Sequence, residues 1–152
     1  MQNVIIRKGN KNDIDSIFDL IIELAVYENG REFVTNTKEK MIEDGFGDHP
    51  LYYVYVAELD HQIIGFALYY FRYSTWKGKR LYLEDLLVTE KQRKKGIGQL
   101  LFNVLIEEAN KMNCSGLNWQ VLDWNSSAIS FYERNKATID SQWLNGAIDM
   151  MK

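Results

Sequence analysis

The sequence predicts a mixed α/β chain of the α+β kind, folded round one sheet. Three patterns carry this. Apolar residues recur at three- and four-residue spacing, as on helices with one buried side. Between them lie runs rich in Val, Ile, Leu and Tyr, bounded by turn residues, as in strands. Several such runs follow one another directly in mid-chain, which favours antiparallel neighbours in one sheet.

Val4–Lys8 reads as a first strand. Asn10 is placed to cap the helix that follows, and Asp13 supports the free N–H groups of its first turn. Ile14, Ile17, Phe18, Ile21 and Leu24 form the buried stripe of that helix, and Gly30 breaks it. A shorter helix covers Lys38 to Asp44, with Thr37 as cap and GFGDHP as terminator. LYYVYVAELDHQIIGFALYYFRY holds two β-rich runs round a polar turn at Asp60 and His61, an antiparallel hairpin. KRLYLEDLLV is a further strand. A helix from Gly98 to Met112 presents Leu101, Val104, Leu105, Ala109 and Met112 on its apolar side. GLNWQV is a short fifth strand, and NSSAISFYERN is a helix capped by Asn125. SQWLNGAIDMM carries Asn145-Gly146 between alternating runs, a strong hairpin signal. There is no repeat or linker, so the 152 residues are expected to form one domain over 1–152.

Composition narrows the function classes. The chain is 46% hydrophobic and 26% charged, an ordinary soluble balance. A net charge of −3 argues against a nucleic-acid partner, since neutralising phosphates needs a basic face. The one cysteine, Cys114, excludes an intrachain disulfide and a cysteine-based metal site. It reads as a small apolar residue near a helix end. His49 and His61 stand far apart without ligand-like neighbours, so no metal is assigned. Residues 1–15 are polar and charged, unlike a signal peptide. No apolar run is long enough for a membrane span, and cytoplasmic residence is expected.

RKKGIG, residues 93 to 98, joins strand to helix. Glycines there let the backbone turn tightly, and a helix N-terminus favours anions. Arg93, Lys94 and Lys95 add charge, which points to a phosphate or pyrophosphate. On residue types alone a solvated basic turn explains the pattern equally well. Neither G-x-G-x-x-G nor G-x-x-x-x-G-K-[ST] is present.

In context this hexapeptide resembles the [RQ]-x-x-G-x-[GA] loop of the acetyl-CoA-dependent N-acetyltransferase superfamily, GNAT. A strand precedes it and a helix follows. Trp124, Asn125, Ala128, Ile129, Phe131 and Tyr132 then resemble the later coenzyme-contacting segment of that superfamily. Four blocks, at Glu23–Glu28, Glu43–Tyr53, Ile63–Val88 and Trp124–Arg134, are similar in order and spacing to the diamine N-acetyltransferases. These are the spermidine/spermine acetylases and their thialysine-acetylating relatives. Three departures stand out. The hairpin turn near Asp60 and His61 is shorter than in the animal enzymes, Asn135 and Lys136 precede Ala137 where the family usually has a glycine, and the tail from Ile139 matches poorly.

The resemblance implies the GNAT fold: a mixed, mostly antiparallel sheet of about six to seven strands, splayed in the middle and flanked by about four helices. It implies acetyl-CoA as donor, a small diamine or polyamine as acceptor, and a homodimer. Thialysine or another lysine analogue, or a protein amine, is the alternative acceptor. A non-catalytic acyl-CoA-binding module is the rival of another class. It would have no use for Glu84 and Tyr132.

The coenzyme set implied is Leu86, Leu87 and Val88 on the strand, Arg93, Lys94, Lys95, Gly96, Ile97, Gly98 and Gln99 in the loop and helix start, and Asn125, Ser127, Ala128 and Tyr132 beyond. A primary aminium with pKa about 10.4 must lose a proton before it attacks a thioester. By resemblance Glu84 assists that step through water, and Tyr132 protonates the departing thiolate. Asp85, Tyr27, Glu28 and Trp119 complete the acceptor set. For Asp85 a solvent-facing carboxylate is an equal reading, for Tyr27 and Glu28 a frayed helix end is the alternative, and for Trp119 core packing is the better reading. Glu84 and Asp85 are sequence neighbours, so on a regular strand they face opposite sides. Only a bulge would bring both to one ligand, and the resemblance implies a bulge on this strand.

Overall fold

A computed structural model describes residues 3–150. The chain divides into two compact units, one reaching to Trp119 and the other starting at Gln120. No helix among the described residues is long and apolar enough to cross a membrane.

The first unit holds strand β1 (Ile5–Lys8), helices α1 (Ile14–Tyr27) and α2 (Lys38–Phe46), strands β2 (Tyr53–Leu59), β3 (Gln62–Ser74) and β4 (Gly78–Val88), helix α3 (Ile97–Lys111) and strand β5 (Leu117–Trp119). The five strands lie in chain order in one sheet. β1 to β4 pair antiparallel, and β5 joins β4 in parallel. The second unit holds helix α4 (Ser126–Arg134).

The local signals explain most of these boundaries. Asn10 Oδ1 accepts the Asn12 N–H at 2.9 Å and Asp13 Oδ2 accepts the Asn10 N–H at 2.8 Å, a reciprocal cap. This cap opens a 3-10 turn, Lys11–Asp13, and α1 begins one residue later than the turn ends. Thr37 Oγ1 accepts the Lys40 N–H at 3.1 Å and starts α2 as expected. Asp60 and His61, at φ 50 and 63, form the two-residue turn between β2 and β3.

The sheet buries a different set of side chains on each side. On one side, Val54, Val56, Phe66, Leu68 and Leu87 pack with Ile14, Ile17 and Leu20 of α1 and Met41 of α2. On the other, Tyr55 and Tyr69 reach α3 and donate their hydroxyls to Glu108 at 2.8 and 3.1 Å. Burial alone would raise the Glu108 pKa, but those bonds satisfy the carboxylate and hold it low, with Lys8 adding a favourable charge 3.7 Å away.

The sheet has five strands, fewer than the six to seven expected, because the C-terminal hairpin does not form among the described residues. An Asn-Gly hairpin turn of the favoured kind needs positive φ at both central residues. Neither Asn145 nor Gly146 takes one. The Asn145 side chain accepts from Gln120 Nε2 at 2.6 Å instead. Trp143, Leu144 and Ile148 stay exposed, so the alternating run buries no side that would fix its register. Met151, the last residue of that expected hairpin, lies outside the described residues. Cys114 is half-buried and follows the end of α3, and burial raises its thiol pKa.

Candidate active site

The turn between β4 and α3 has the backbone geometry that suits an anion. Lys94 and Gly96 both take left-handed backbone, at φ 62 and 81. Such alternation turns successive N–H groups to one side and makes a small concave donor surface. Gly96 is the N-cap of α3 and has no side chain to occupy the first-turn amides. A Cβ at Gly96 would meet nothing within 4 Å, so its φ, not crowding by the protein, explains glycine there.

Arg93 braces this turn. Its Nε donates to the Val88 carbonyl at 2.8 Å, and Nη2 lies 3.5 Å from Glu23. Its guanidinium carbon sits 5.5 Å from the centre of the Tyr27 ring. Glu23 also accepts from the Thr89 hydroxyl at 2.9 Å and the Glu90 N–H at 3.0 Å. The end of α1 is thereby tied to the loop, and Lys94 and Lys95 carry its exposed charge. Lys95 Nζ donates to Gln92 at 2.9 Å, and Gln99 Nε2 to Asn103 at 2.8 Å.

Upstream, β4 carries an irregularity. Asp85 stands opposite Leu68, yet Leu83 stands opposite Tyr69, so the extra residue of the ladder is Glu84. Directly opposite residues share a side of the sheet. Asp85 therefore shares the side of Leu68 and Leu87, the side covered by α1. Tyr70 and Tyr82 are opposite each other on that same side, since Tyr70 is two residues from Leu68. The Tyr70 hydroxyl donates to Glu84 Oε1 at 3.0 Å, which places Glu84 there too. The bulge thus brings both carboxylates to one side of the sheet.

Burial and charge tune this cluster. Asp85 is half-buried, and its pKa is pushed up to about 7 by burial first, then by the charges of Glu84 and Glu28. Burial raises the Glu28 carboxyl as well. The Tyr70 phenol is pushed up to about 12 by burial and by its bond to Glu84, so it remains a donor at neutral pH. Three carboxylates beside two phenol rings make a site for a cation. Glu28 is the C-cap of α1, next to Tyr27. β5 pairs with β4 only from Leu81 to Leu83. Past it, Leu86, Leu87 and Val88 are paired with β3 alone among the described residues.

Trp119 does not join this cluster. It stands opposite Leu83, on the side of Tyr69, and its ring meets Phe102 of α3 edge-on at 5.6 Å. Core packing against α3 is what the geometry gives it.

In the second unit, Asn125 Oδ1 accepts the Ala128 N–H at 3.2 Å and starts α4. Ser127 is exposed in the first turn, and Tyr132 is buried at 8% exposure. The helix closes when the Lys136 N–H bonds to Glu133 O at 2.9 Å and the Ala137 N–H to Tyr132 O at 3.1 Å.

A sequence profile described as the Acetyltransferase (GNAT) family matches residues 14–136. The chain belongs to that family. It is 40% identical over 141 residues to a thialysine N-epsilon-acetyltransferase of Bos taurus, covering 88% of this chain and 83% of the relative. It is 38% identical over 134 residues to a human spermidine/spermine N(1)-acetyltransferase-like protein 1, covering 84% of this chain and 19% of that longer protein. Among solved structures, an integron cassette protein from the mobile metagenome of V. cholerae superposes with a TM-score of 0.78 at 25% identity, covering 99% of this chain and 94% of that one. The protein is an N-acetyltransferase by family, which favours an enzyme over a non-catalytic acyl-CoA-binding module.

Four residues of this acetyltransferase escaped the sequence reading: Tyr70, Arg72 and Tyr82 on the carboxylate side, and Glu23 behind the loop. Alternation along β3 groups Tyr70 with Arg72, but only the ladder register brings in Tyr82. Glu23 reaches the loop across more than sixty residues of chain, which no local pattern reveals.

Proposed function

We propose that the chain moves an acetyl group from acetyl-CoA to the primary amine of a small cationic acceptor, by direct attack in a ternary complex. The acceptor is a diamine or polyamine, or a lysine analogue such as thialysine. The observation that carries this is the bulge at Glu84, which gathers Glu84 and Asp85 on one side beside Tyr70 and Tyr82. The names of the similar proteins, thialysine and spermidine/spermine acetyltransferases, support an amine of this size.

Acetyl-CoA supplies the activated thioester. The left-handed turn at Lys94 and Gly96 and the uncapped start of α3 fit a pyrophosphate, with the amides from Lys95 to Gln99 as donors and Lys94 and Lys95 as charges. The β4 backbone from Leu86 to Val88 suits the amide-bearing arm. Asn125, Ser127 and Ala128 complete the coenzyme set.

Asp85, Glu28 and the Tyr27 ring hold the acceptor as its cation. Glu84, oriented by Tyr70, takes the aminium proton through a water molecule. Tyr132 returns a proton to the departing thiolate, whose pKa of about 8.5 makes modest help sufficient. The whole chain acts as one catalytic domain, cytoplasmic and homodimeric.

The test is an acceptor screen. Acetyl-CoA turnover is measured with putrescine, spermidine, spermine, thialysine and lysine. Turnover with at least one is expected. A chain that binds acetyl-CoA and turns over with none of them does not have this function.

A further inference from the structure

Arg72 is a cation placed at the edge of an acidic site, and the ladder shows how. It lies two residues beyond Tyr70 on β3, on the same side of the sheet, opposite Arg80. These two arginines differ in what they do. Arg80 spends its guanidinium on Asn118 Oδ1 at 2.8 Å, the Leu117 carbonyl at 3.1 Å and Ser115 Oγ at 3.4 Å, which ties β4 to β5. Arg72 turns its guanidinium over the Tyr82 ring, 4.8 Å from the centre. No hydrogen bond or ion pair to another described residue engages it. Its charge acts on the Tyr70 and Tyr82 phenols, both of which border Glu84.

A bare diamine gains nothing from this arrangement. Its far amine would be a second cation facing Arg72, and like charges repel. An acceptor with a carboxylate at the far end gains a charge-assisted and potentially bidentate partner. The spacing agrees. Arg72 is four residues from the level of Asp85, roughly 13 Å along the strand. An extended lysine-type side chain places its terminal amine roughly 7 Å from its carboxylate, and a charge-assisted contact of about 2.8 Å at each end brings the span to roughly 13 Å.

We propose that Arg72 binds the carboxylate of an amino-acid acceptor whose terminal amine is held by the carboxylates at the bulge. This rests on the amine-acetyltransferase reading above and deepens it: between the two acceptor classes, the lysine analogue is the better fit. Arg72 is here a specificity residue, and no proton passes through it.

The test uses a matched pair, thialysine and bis(2-aminoethyl) sulfide, which is the same molecule without the carboxylate. Steady-state rates are measured for the full chain and for Arg72→Gln and Arg72→Lys. The unsubstituted chain is expected to favour thialysine. Arg72→Gln should raise the thialysine KM about tenfold to a hundredfold, the loss expected for one charge-assisted contact, with kcat little changed. In the same variant kcat/KM for the sulfide diamine should rise, because a repelling cation is gone. Arg72→Lys should recover part of the preference. If the ratio of the two acceptors is the same in Arg72→Gln as in the unsubstituted chain, or both fall together, Arg72 does not read a carboxylate. If neither is acetylated but spermidine is, the carboxylate proposal falls and the amine-acetyltransferase reading stands. If no amine is acetylated, that reading falls with it.

Discussion

The Tyr70 hydroxyl donates to Glu84 Oε1 at 3.0 Å, from the strand opposite the bulge. This bond orients an exposed carboxylate that would otherwise sample several rotamers. It also separates two contributions that a single substitution at Glu84 would mix. Glu84→Gln keeps an acceptor for Tyr70 and removes the charge. It is expected to lower kcat about a hundredfold, within the range for a lost general base, and to flatten the rise of rate with pH. Tyr70→Phe keeps the charge and removes the orienting bond, so it should cost less and leave the shape of the pH–rate profile intact. An unchanged profile in Glu84→Gln would falsify the role in deprotonation.

Gly96 offers a comparison between backbone strain and ligand contact. Gly96→Ala forces an L residue to φ 81, at a cost of about 1–2 kcal/mol, but its Cβ touches no protein atom within 4 Å. Unfolding in urea should show that cost and no more. If the turn holds the pyrophosphate, the acetyl-CoA Kd should rise at least tenfold, and Gly96→Val should abolish binding. Calorimetry showing normal affinity in Gly96→Val would move the coenzyme elsewhere.

These two sites show what the sequence could and could not reveal. Gly96 was legible because a glycine between a strand and an amphipathic helix has few explanations. Glu84 and Asp85 were legible as residues, and the need for a bulge followed from the two-residue period of a strand. Where the bulge falls depends on the β3 register, which is set by side chains fifteen residues away. The C-terminal hairpin failed for the opposite reason. Asn145-Gly146 has turn chemistry, but nothing buries the alternating run beside it, so local propensity goes unrewarded.

Tyr132→Phe removes one hydroxyl from a buried ring in α4. If Tyr132 is the acid of the reaction, it acts on a thiolate that leaves readily, so turnover should fall about tenfold to a hundredfold without vanishing. The acetyl-CoA Kd should stay within about twofold, because the ring is kept. Unchanged turnover removes the acid assignment.

Lys136 occupies a glycine position. Its φ of 63 is left-handed, and the bonds from Lys136 N–H to Glu133 O and from Ala137 N–H to Tyr132 O form the closing motif in which glycine is common. Lys136→Gly should relieve about 1–2 kcal/mol of strain and lose about 0.4–1 kcal/mol through a more flexible unfolded chain. A net gain of about 1 kcal/mol is expected in urea unfolding, with the slope unchanged. A loss of stability would mean that the Lys136 side chain contributes contacts worth more than the strain.

Asp85 makes stability depend on pH in a direction that can be stated beforehand. Its folded pKa, about 7, lies above the ordinary 3.8 because burial and the charges of Glu84 and Glu28 disfavour ionisation. Between those two values the folded chain keeps a proton that the unfolded chain releases. The contribution of Asp85 is therefore most favourable below about pH 4. It weakens as pH rises and is flat above about pH 7, where both states are ionised. Asp85→Asn removes this cost, so its gain in Tm over the unsubstituted chain should be near zero at pH 4 and largest at pH 8. If an ionised Asp85 holds the acceptor, the same substitution should remove function. In the unsubstituted chain the acceptor KM should fall as pH rises through about 7. In Asp85→Asn it should be high throughout. Equal Tm gains at pH 5 and pH 8 would show that the raised carboxylate is not Asp85.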